Sequence, residues 1–215
     1  TIIPVGGTMN LLGAATHYLT YLVGSGPSRT VDNFGTVNWP GNAVLASYGQ
    51  FNNYGSVNVT ASGTAQYYNP NGNVPSVWNN YGTFTRSAGS LFYFQNGYVN
   101  NSGLISAQSG TLSIYAATFT NTTGNVDVGT NAVFQSEVGS VITLNGPSRI
   151  GALAADSIRL GGASAIVETT NIVSPTIWLQ AGTLYQRTNI AVATINESGG
   201  ALQLEVPATL AQLNQ

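Results

Sequence analysis

One five-residue pattern returns along this chain at nearly even spacing, and it limits the possible folds more than any other feature. Asn33-Phe34-Gly35-Thr36-Val37, Asn53-Tyr54-Gly55-Ser56-Val57, Asn80-Tyr81-Gly82-Thr83-Phe84 and Asn101-Ser102-Gly103-Leu104-Ile105 all read Asn-x-Gly-x-apolar. Thr122-Thr123-Gly124-Asn125-Val126 is a fifth copy with Thr in the Asn place. The glycines Gly35, Gly55, Gly82, Gly103 and Gly124 are 20, 27, 21 and 21 residues apart. The long step contains Pro70-Asn71-Gly72-Asn73-Val74-Pro75-Ser76, which reads as a loop inserted into one copy. The residue before each copy is Asp32, Asn52, Asn79, Asn100 or Asn121, so two adjacent columns are polar. A second glycine recurs at Gly63, Gly89 and Gly110, and Leu91, Leu112 and Val133 fall at one repeat position.

Between the glycines lie short runs rich in Val, Ile, Thr, Tyr and Phe that alternate apolar and polar residues, the signature of strands. A period near 21 residues is too short for a propeller blade of about 40 residues or more, and the leucine-rich-repeat signature is missing. A β-sandwich also shows frequent turn signals, but it does not require five copies in phase. The reading that fits is all-β: a parallel β-solenoid (β-helix) with coils of about 21 residues and three short strands per coil. Equivalent residues would then stack at about 4.8 Å, turning each column into a ladder. Val37, Val57, Phe84, Ile105 and Val126 are expected to point inward. The Asn columns are expected at tight corners, with left-handed backbone angles and amides bonded from coil to coil. The glycines are expected there for their backbone freedom.

The regular coils span residues 31–143, and less regular coils of the same domain span 144–206. Residues 1–30 read as an N-terminal cap and residues 207–215 as a C-terminal tail or short helix. Gly-Pro-Ser-Arg occurs at 26–29 and again at 146–149, bracketing the regular region.

The stretch from Asn100 to Ile114, Asn-Asn-Ser-Gly-Leu-Ile-Ser-Ala-Gln-Ser-Gly-Thr-Leu-Ser-Ile, resembles the coil repeats of filamentous-haemagglutinin-type adhesins. The resemblance covers about residues 33–143. It implies a right-handed parallel β-helix belonging to a large secreted protein. Asn69-Pro70-Asn71-Gly72 is similar to a motif of the adhesins' secretion domain, but it lacks the apolar residue expected next.

Charged residues make up 6% of the chain, against roughly 25% in ordinary globular proteins. The five basic residues are all Arg, too few to form the basic patch that nucleic acid demands. The polar surface must therefore come from Asn, Ser, Thr, Gln and Tyr, and a net charge of −2 gives little long-range repulsion. That combination points to a protein that lives assembled, by self-association or in tandem copies. There is no Cys, hence no disulfide framework and no thiolate chemistry. No apolar run reaches the ~18 residues of a membrane helix, so membrane insertion is not expected. Met9 to Ala15 lacks the basic flank of a signal peptide, and a chain opening at Thr1 reads as a mature product or an excised module.

Four sequons occur, at Asn58, Asn100, Asn121 and Asn196. Asn100 and Asn121 share the column of Asn52 and Asn79; if that column faces inward, only Asn58 and Asn196 remain glycosylation candidates.

Catalytic signals are sparse. His17 is the single histidine, which excludes a His-based metal site and offers little to a Ser-His-Asp triad. The acids Asp32, Asp127, Glu137, Asp156, Glu168, Glu197 and Glu205 do not share a repeat column. No cofactor is expected. The glycan-stacking candidates are Tyr54 and Tyr81, in one column with Phe34, and Trp78; Trp39, Tyr67, Tyr68, Tyr93 and Tyr98 lie nearby in sequence. Ice binding would want a regular Thr array, and the column Thr36, Ser56, Thr83, Leu104, Asn125 breaks too soon. The expectation is a non-catalytic structural or adhesive module of a secreted or cell-surface protein that contacts glycans and assembles into a fibre or matrix. The alternative is a polysaccharide lyase or hydrolase on the same fold, which needs carboxylates converging in a groove.

Overall fold

The computed structural model describes the chain except residues 19–28, 71–75, 145–148, 155–156, 162–164, 168–170, 187–190 and 205–209. Most of the insertion at 70–76, and most of both Gly-Pro-Ser-Arg copies, lie outside the described residues.

The described secondary structure is entirely β, and every strand pair is parallel. The chain winds into a β-solenoid. On its first side Ile2–Ile3, Thr30–Asn33, Gln50–Asn53, Val77–Asn80, Tyr98–Asn101, Thr118–Asn121, Val141–Leu144, Ala165–Val167, Thr183–Gln186 and Ala201–Leu204 stack in sequence order. The second side begins Thr8–Asn10, Thr36–Trp39, Ser56–Val59 and Thr83–Arg86. The third begins Thr16–Tyr18, Val44–Ala46, Thr64–Tyr68 and Leu91–Gln95. Farther along, single strands such as Leu104–Tyr115 and Asn125–Ser136 run through the corner and serve both of these sides, with a register shift between Ala107 and Ser109.

Alternation places one set of columns inside. Val37, Val57, Phe84, Ile105 and Val126 are fully buried, as their pattern predicts. Phe51, Trp78, Val99, Phe119 and Ile142 line the first side, and Tyr67, Phe94 and Ile114 the third. Rings meet edge to face across the interior: Trp78 packs on Phe84, Phe94 and Tyr67 with centroids 5.9, 5.5 and 4.9 Å apart. One column is shifted from the sequence reading. Leu91 is level with Thr111 and Val133, while Leu112 is level with Phe92 and Phe134 and points inward with them.

Both chain ends carry strands of the stack. Ile2–Ile3, Thr8–Asn10 and Thr16–Tyr18 pair with Asp32–Asn33, Thr36–Asn38 and Val44–Ala46, so the first 18 residues form a coil of the stack, and most of the rest of the expected cap lies outside the described residues. Leu210–Asn214 is a strand paired with the segment from Val192 to Asn196, not a tail or a helix.

Two ladders of Asn side chains run side by side at the corner between the first two sides. The inner one is buried. Asn33, Asn53, Asn80 and Asn101 each donate from Nδ2 to Oδ1 of the Asn in the next coil, at 2.7, 2.7, 2.7 and 2.8 Å, ending on Asn121. The second amide hydrogen goes to backbone carbonyls of the next coil, Ser56, Thr83, Leu104 and Asn125, at 3.2, 3.0, 3.1 and 3.2 Å. The outer ladder has the opposite polarity. Asn100 donates to Asn79, Asn79 to Asn52 and Asn52 to Asp32, at 2.8, 2.8 and 2.7 Å. A carboxylate at its end suits that polarity, since it accepts without having to donate onward. These Asn residues sit in strands; among the described residues the non-glycine residues with positive φ are Asn96 and Ala116. The amide ladder, not a left-handed corner, is what calls for Asn.

The glycine column is corrected in the same way. Gly35, Gly55, Gly82 and Gly103 do not have positive φ. A Cβ on any of them would collide with the carbonyl oxygen of the glycine one coil below. Gly is needed there because two backbones touch. Gly89 and Gly110 meet both demands: their φ is positive, 83° and 67°, and a Cβ would also collide with the carbonyl oxygen of Ala61 or Gly89 one coil below.

Candidate functional site

The outside of the Asn corner carries the aromatic column. Phe34, Tyr54 and Tyr81 project from successive coils and are 43%, 45% and 50% exposed. Their rings stack in parallel, with centroids 4.8 and 4.9 Å apart and planes 7° and 9° from parallel. The coil spacing of a sheet, about 4.7–4.9 Å, imposes this on equivalent side chains. The chemical consequence follows directly. Both faces of Tyr54 are covered by neighbouring rings, and the column shows solvent its ring edges. A sugar stacks on a face, so Tyr54 has none to offer. Tyr81 keeps one face, on the side where the next residue of the column is the small, exposed Ser102. Asn100 and Tyr98 are exposed on the same coil as Ser102.

Trp78 is corrected outright. It is fully buried, flat on Phe51 with centroids 4.4 Å apart, and cannot meet a glycan. Trp39 and Tyr67 are buried as well. The Tyr67 hydroxyl accepts from Ser76 at 2.7 Å, and burial pushes its pKa up. What sequence reasoning lacked was the side of the strand: Trp78 lies one residue before Asn79, whose side chain joins the outer ladder away from the apolar core, so Trp78 faces in.

The same rule separates the sequons. Asn100 is exposed and belongs to the outer ladder, whereas Asn121 is buried at the end of the inner one. Their common column was a misalignment: Asn121 is level with Asn101, and Thr120 is level with Asn100. The geometric reason for setting Asn100 aside is therefore removed. Asn58 is half-buried and donates to Asn38 at 3.4 Å; Asn196 is half-buried and accepts from Asn214 at 2.7 Å.

A groove of about 370 Å³ follows the corner between the second and third sides across three coils. It is lined by Ser106, Gln108, Asp127, Gly129, Gly151 and Leu153, with Ala107, Val128 and Ala152 at its floor. Among the described residues Asp127 is its single carboxylate. Glu137 lies elsewhere, accepting a hydrogen bond from the Ser113 hydroxyl. Its charge raises the Tyr93 pKa beyond what burial alone does. Asp32 ends the outer ladder, and Asp156, Glu168 and Glu205 lie outside the described residues. His17 sits in the first coil with Nε2 at 3.1 Å from the Leu12 carbonyl oxygen. Among the described residues no three His, Cys, Asp or Glu side chains gather as a metal would need, and no helix is long and apolar enough to cross a membrane.

These features define the chain as a parallel β-solenoid whose distinctive surface is a corner of amides and stacked rings. Comparison with family models, with curated proteins and with solved structures found no match. The likeness to filamentous-haemagglutinin-type adhesins is therefore carried by the coil repeat alone.

If the rings serve cohesion, substitution should scale with covered faces. Tyr54→Ala, losing two stacking neighbours, is expected to cost about 1–3 kcal/mol, and Tyr81→Ala, losing one, about 0.5–1.5 kcal/mol. Urea unfolding of the two variants reads the difference. Equal costs would mean that the stack contributes nothing beyond buried area.

Proposed function

We propose that this protein is a non-catalytic structural and adhesive rod, secreted or displayed at a cell surface, that stacks with its own kind and contacts glycans. The observation that carries this reading is the set of uninterrupted side-chain ladders on the rod's exterior. Asp32–Asn52–Asn79–Asn100, whose two middle members are themselves buried, Asn10–Asn38–Asn58 and Phe34–Tyr54–Tyr81 follow the axis over several coils each. Ladders stiffen a rod and cover it with hydrogen-bonding groups that carry almost no charge. Such a surface suits neutral, hydroxyl-rich partners. The glycan contact rests on the open face of Tyr81 beside Asn100 and Ser102. A non-catalytic role draws support from the groove, where the described residues supply one carboxylate and glycoside hydrolysis uses a pair.

Self-stacking draws support from the outermost strands. Ile2–Ile3 and Thr8–Asn10 at one end, and Ala201–Leu204 and Leu210–Asn214 at the other, pair on one side only among the described residues. Unpaired parallel edges at opposite ends make a head-to-tail contact, which generates an open filament.

Sedimentation over a range of protein concentrations, together with co-sedimentation on insoluble polysaccharides, tests both parts. The expected result is concentration-dependent end-to-end growth, and retention on at least one neutral polysaccharide that Tyr81→Ala reduces tenfold or more. A protein that stays monomeric at high concentration and is retained by no glycan or cell surface would overturn the reading.

A further inference from the structure

The inward column Trp39, Val59, Arg86, Ala107, Val128, Ala152 contains one charged residue. Arg86 is fully buried, and its Nε, Nη1 and Nη2 have no hydrogen-bond partner. It is not alone in this. The indole nitrogens of Trp39 and Trp78 are also buried without an acceptor. Both indoles belong to one aromatic cluster: Trp39 meets Phe92 at 5.3 Å, Phe92 meets Phe84 at 5.0 Å and Phe84 meets Trp78 at 5.9 Å. Arg86 follows Phe84 by two residues on the same inward face. This part of the core thus holds a full positive charge and a surplus of N–H donors.

Desolvation lowers the Arg86 pKa only to about 10, so the guanidinium is still a cation at neutral pH. Ring faces attract a cation, but they cannot accept the directed N–H bonds of a guanidinium fork. A buried charge without a partner is among the most destabilising features a core can contain. The fitting complement is a compact acceptor with a single negative charge. A divalent anion would leave net negative charge in the same apolar surroundings. We propose that the solenoid core binds a small monovalent anion of the halide class beside Arg86. It would accept from the guanidinium and act as a structural ion within the aromatic section of the rod.

The test compares thermal midpoints in sodium chloride, sodium bromide and sodium gluconate at matched ionic strength. Chloride and bromide are expected to raise the wild-type midpoint by ~3–6 °C over gluconate, growing with the logarithm of halide concentration. Arg86→Met, which keeps the length and removes the charge, is expected to lose that response and to melt no lower than wild type in gluconate. Bromide-soaked wild-type crystals give an answer independent of the variant's folding, through an anomalous peak beside the guanidinium. Equal wild-type midpoints in the three salts, a halide response that survives Arg86→Met, or a bromide derivative with no peak in the core would each overturn the proposal.

Discussion

Gly82→Ala is expected to be among the most damaging single methyl additions in this protein, costing about 4–5 kcal/mol or abolishing soluble expression. The added Cβ would fall on the Gly55 carbonyl oxygen and close to the Tyr54 backbone, well within the 3.0 Å that real Cβ atoms essentially never breach. Ordinary overpacking costs about 1–3 kcal/mol because side chains give way. Here the obstacle is backbone, and that backbone is held by the bonds from Tyr81 and Gly82 N–H to the Asn53 carbonyl and from Thr83 N–H to the Gly55 carbonyl, at 2.8, 2.8 and 2.9 Å. Relief requires opening the stack. Gly129→Ala is the matched control: its Cβ would meet Ala107 and Gln108 at 3.4 Å, ordinary contact, and its φ is not positive. It is expected to lie within about 0.5 kcal/mol of wild type. Chemical denaturation of both reads the contrast, and comparable stability of the two would sink the idea that coil contact sets the glycine column.

Asn80→Ala is expected to cost about 3–5 kcal/mol. The Asn80 amide donates to Asn101 at 2.7 Å and to the Leu104 carbonyl at 3.1 Å, and accepts from Asn53 at 2.7 Å. Removing it leaves buried groups on both sides without their partner, although Asn53 keeps the Thr83 carbonyl at 3.0 Å. Asn100→Ala breaks the bond to Asn79 at 2.8 Å in the outer ladder, where Asn100 is exposed and water replaces what is lost. Its expected cost is below about 1 kcal/mol. The double variant Asn53→Ala/Asn80→Ala should cost less than the sum of the singles, because the two share one bond. Unfolding midpoints of Asn53→Ala, Asn80→Ala, the double variant and Asn100→Ala, each against wild type, decide it. An Asn80→Ala variant no weaker than Asn100→Ala would mean that the buried ladder is ornamental.

Much of this was legible before any coordinates. Phase among Gly35, Gly55, Gly82 and Gly103 marks a solenoid because only stacked coils place backbone on backbone at one position. The inward run Val37, Val57, Phe84, Ile105, Val126 follows from alternation. Where the reading slipped, it slipped by one residue. The corner Ser102-Gly103 becomes Thr122-Thr123-Gly124 one coil later, so alignment on glycine moves Asn121 out of the Asn101 column that its hydrogen bond places it in. Because strand periodicity is two, an error of one exchanges inside for outside. That exchange misplaced Asn121 and Leu112, and ignoring strand side misplaced Trp78.

The candidate surface was legible only as composition. Phe34, Tyr54 and Tyr81 form a visible column, but whether a ring offers its face or its edge is set by the coil spacing and by which residue follows. Tyr54 is covered on both faces and Tyr81 on one because the column continues from Phe34 and stops at Ser102. Arg86 shows the same limit: a lone Arg between Thr85 and Ser87 reads as a surface residue until register puts it level with Val59 and Ala107.

The sequence by itself thus determined the class of fold, the period of the coil and the apolar spine, because each is a repeating local pattern that every coil restates. Tertiary structure alone decided which ring faces stay open, which sequon asparagines reach solvent, and that a guanidinium lies in the core. Those properties depend on neighbours some 20 to 27 residues away in sequence, and one inserted residue at a corner is enough to exchange them.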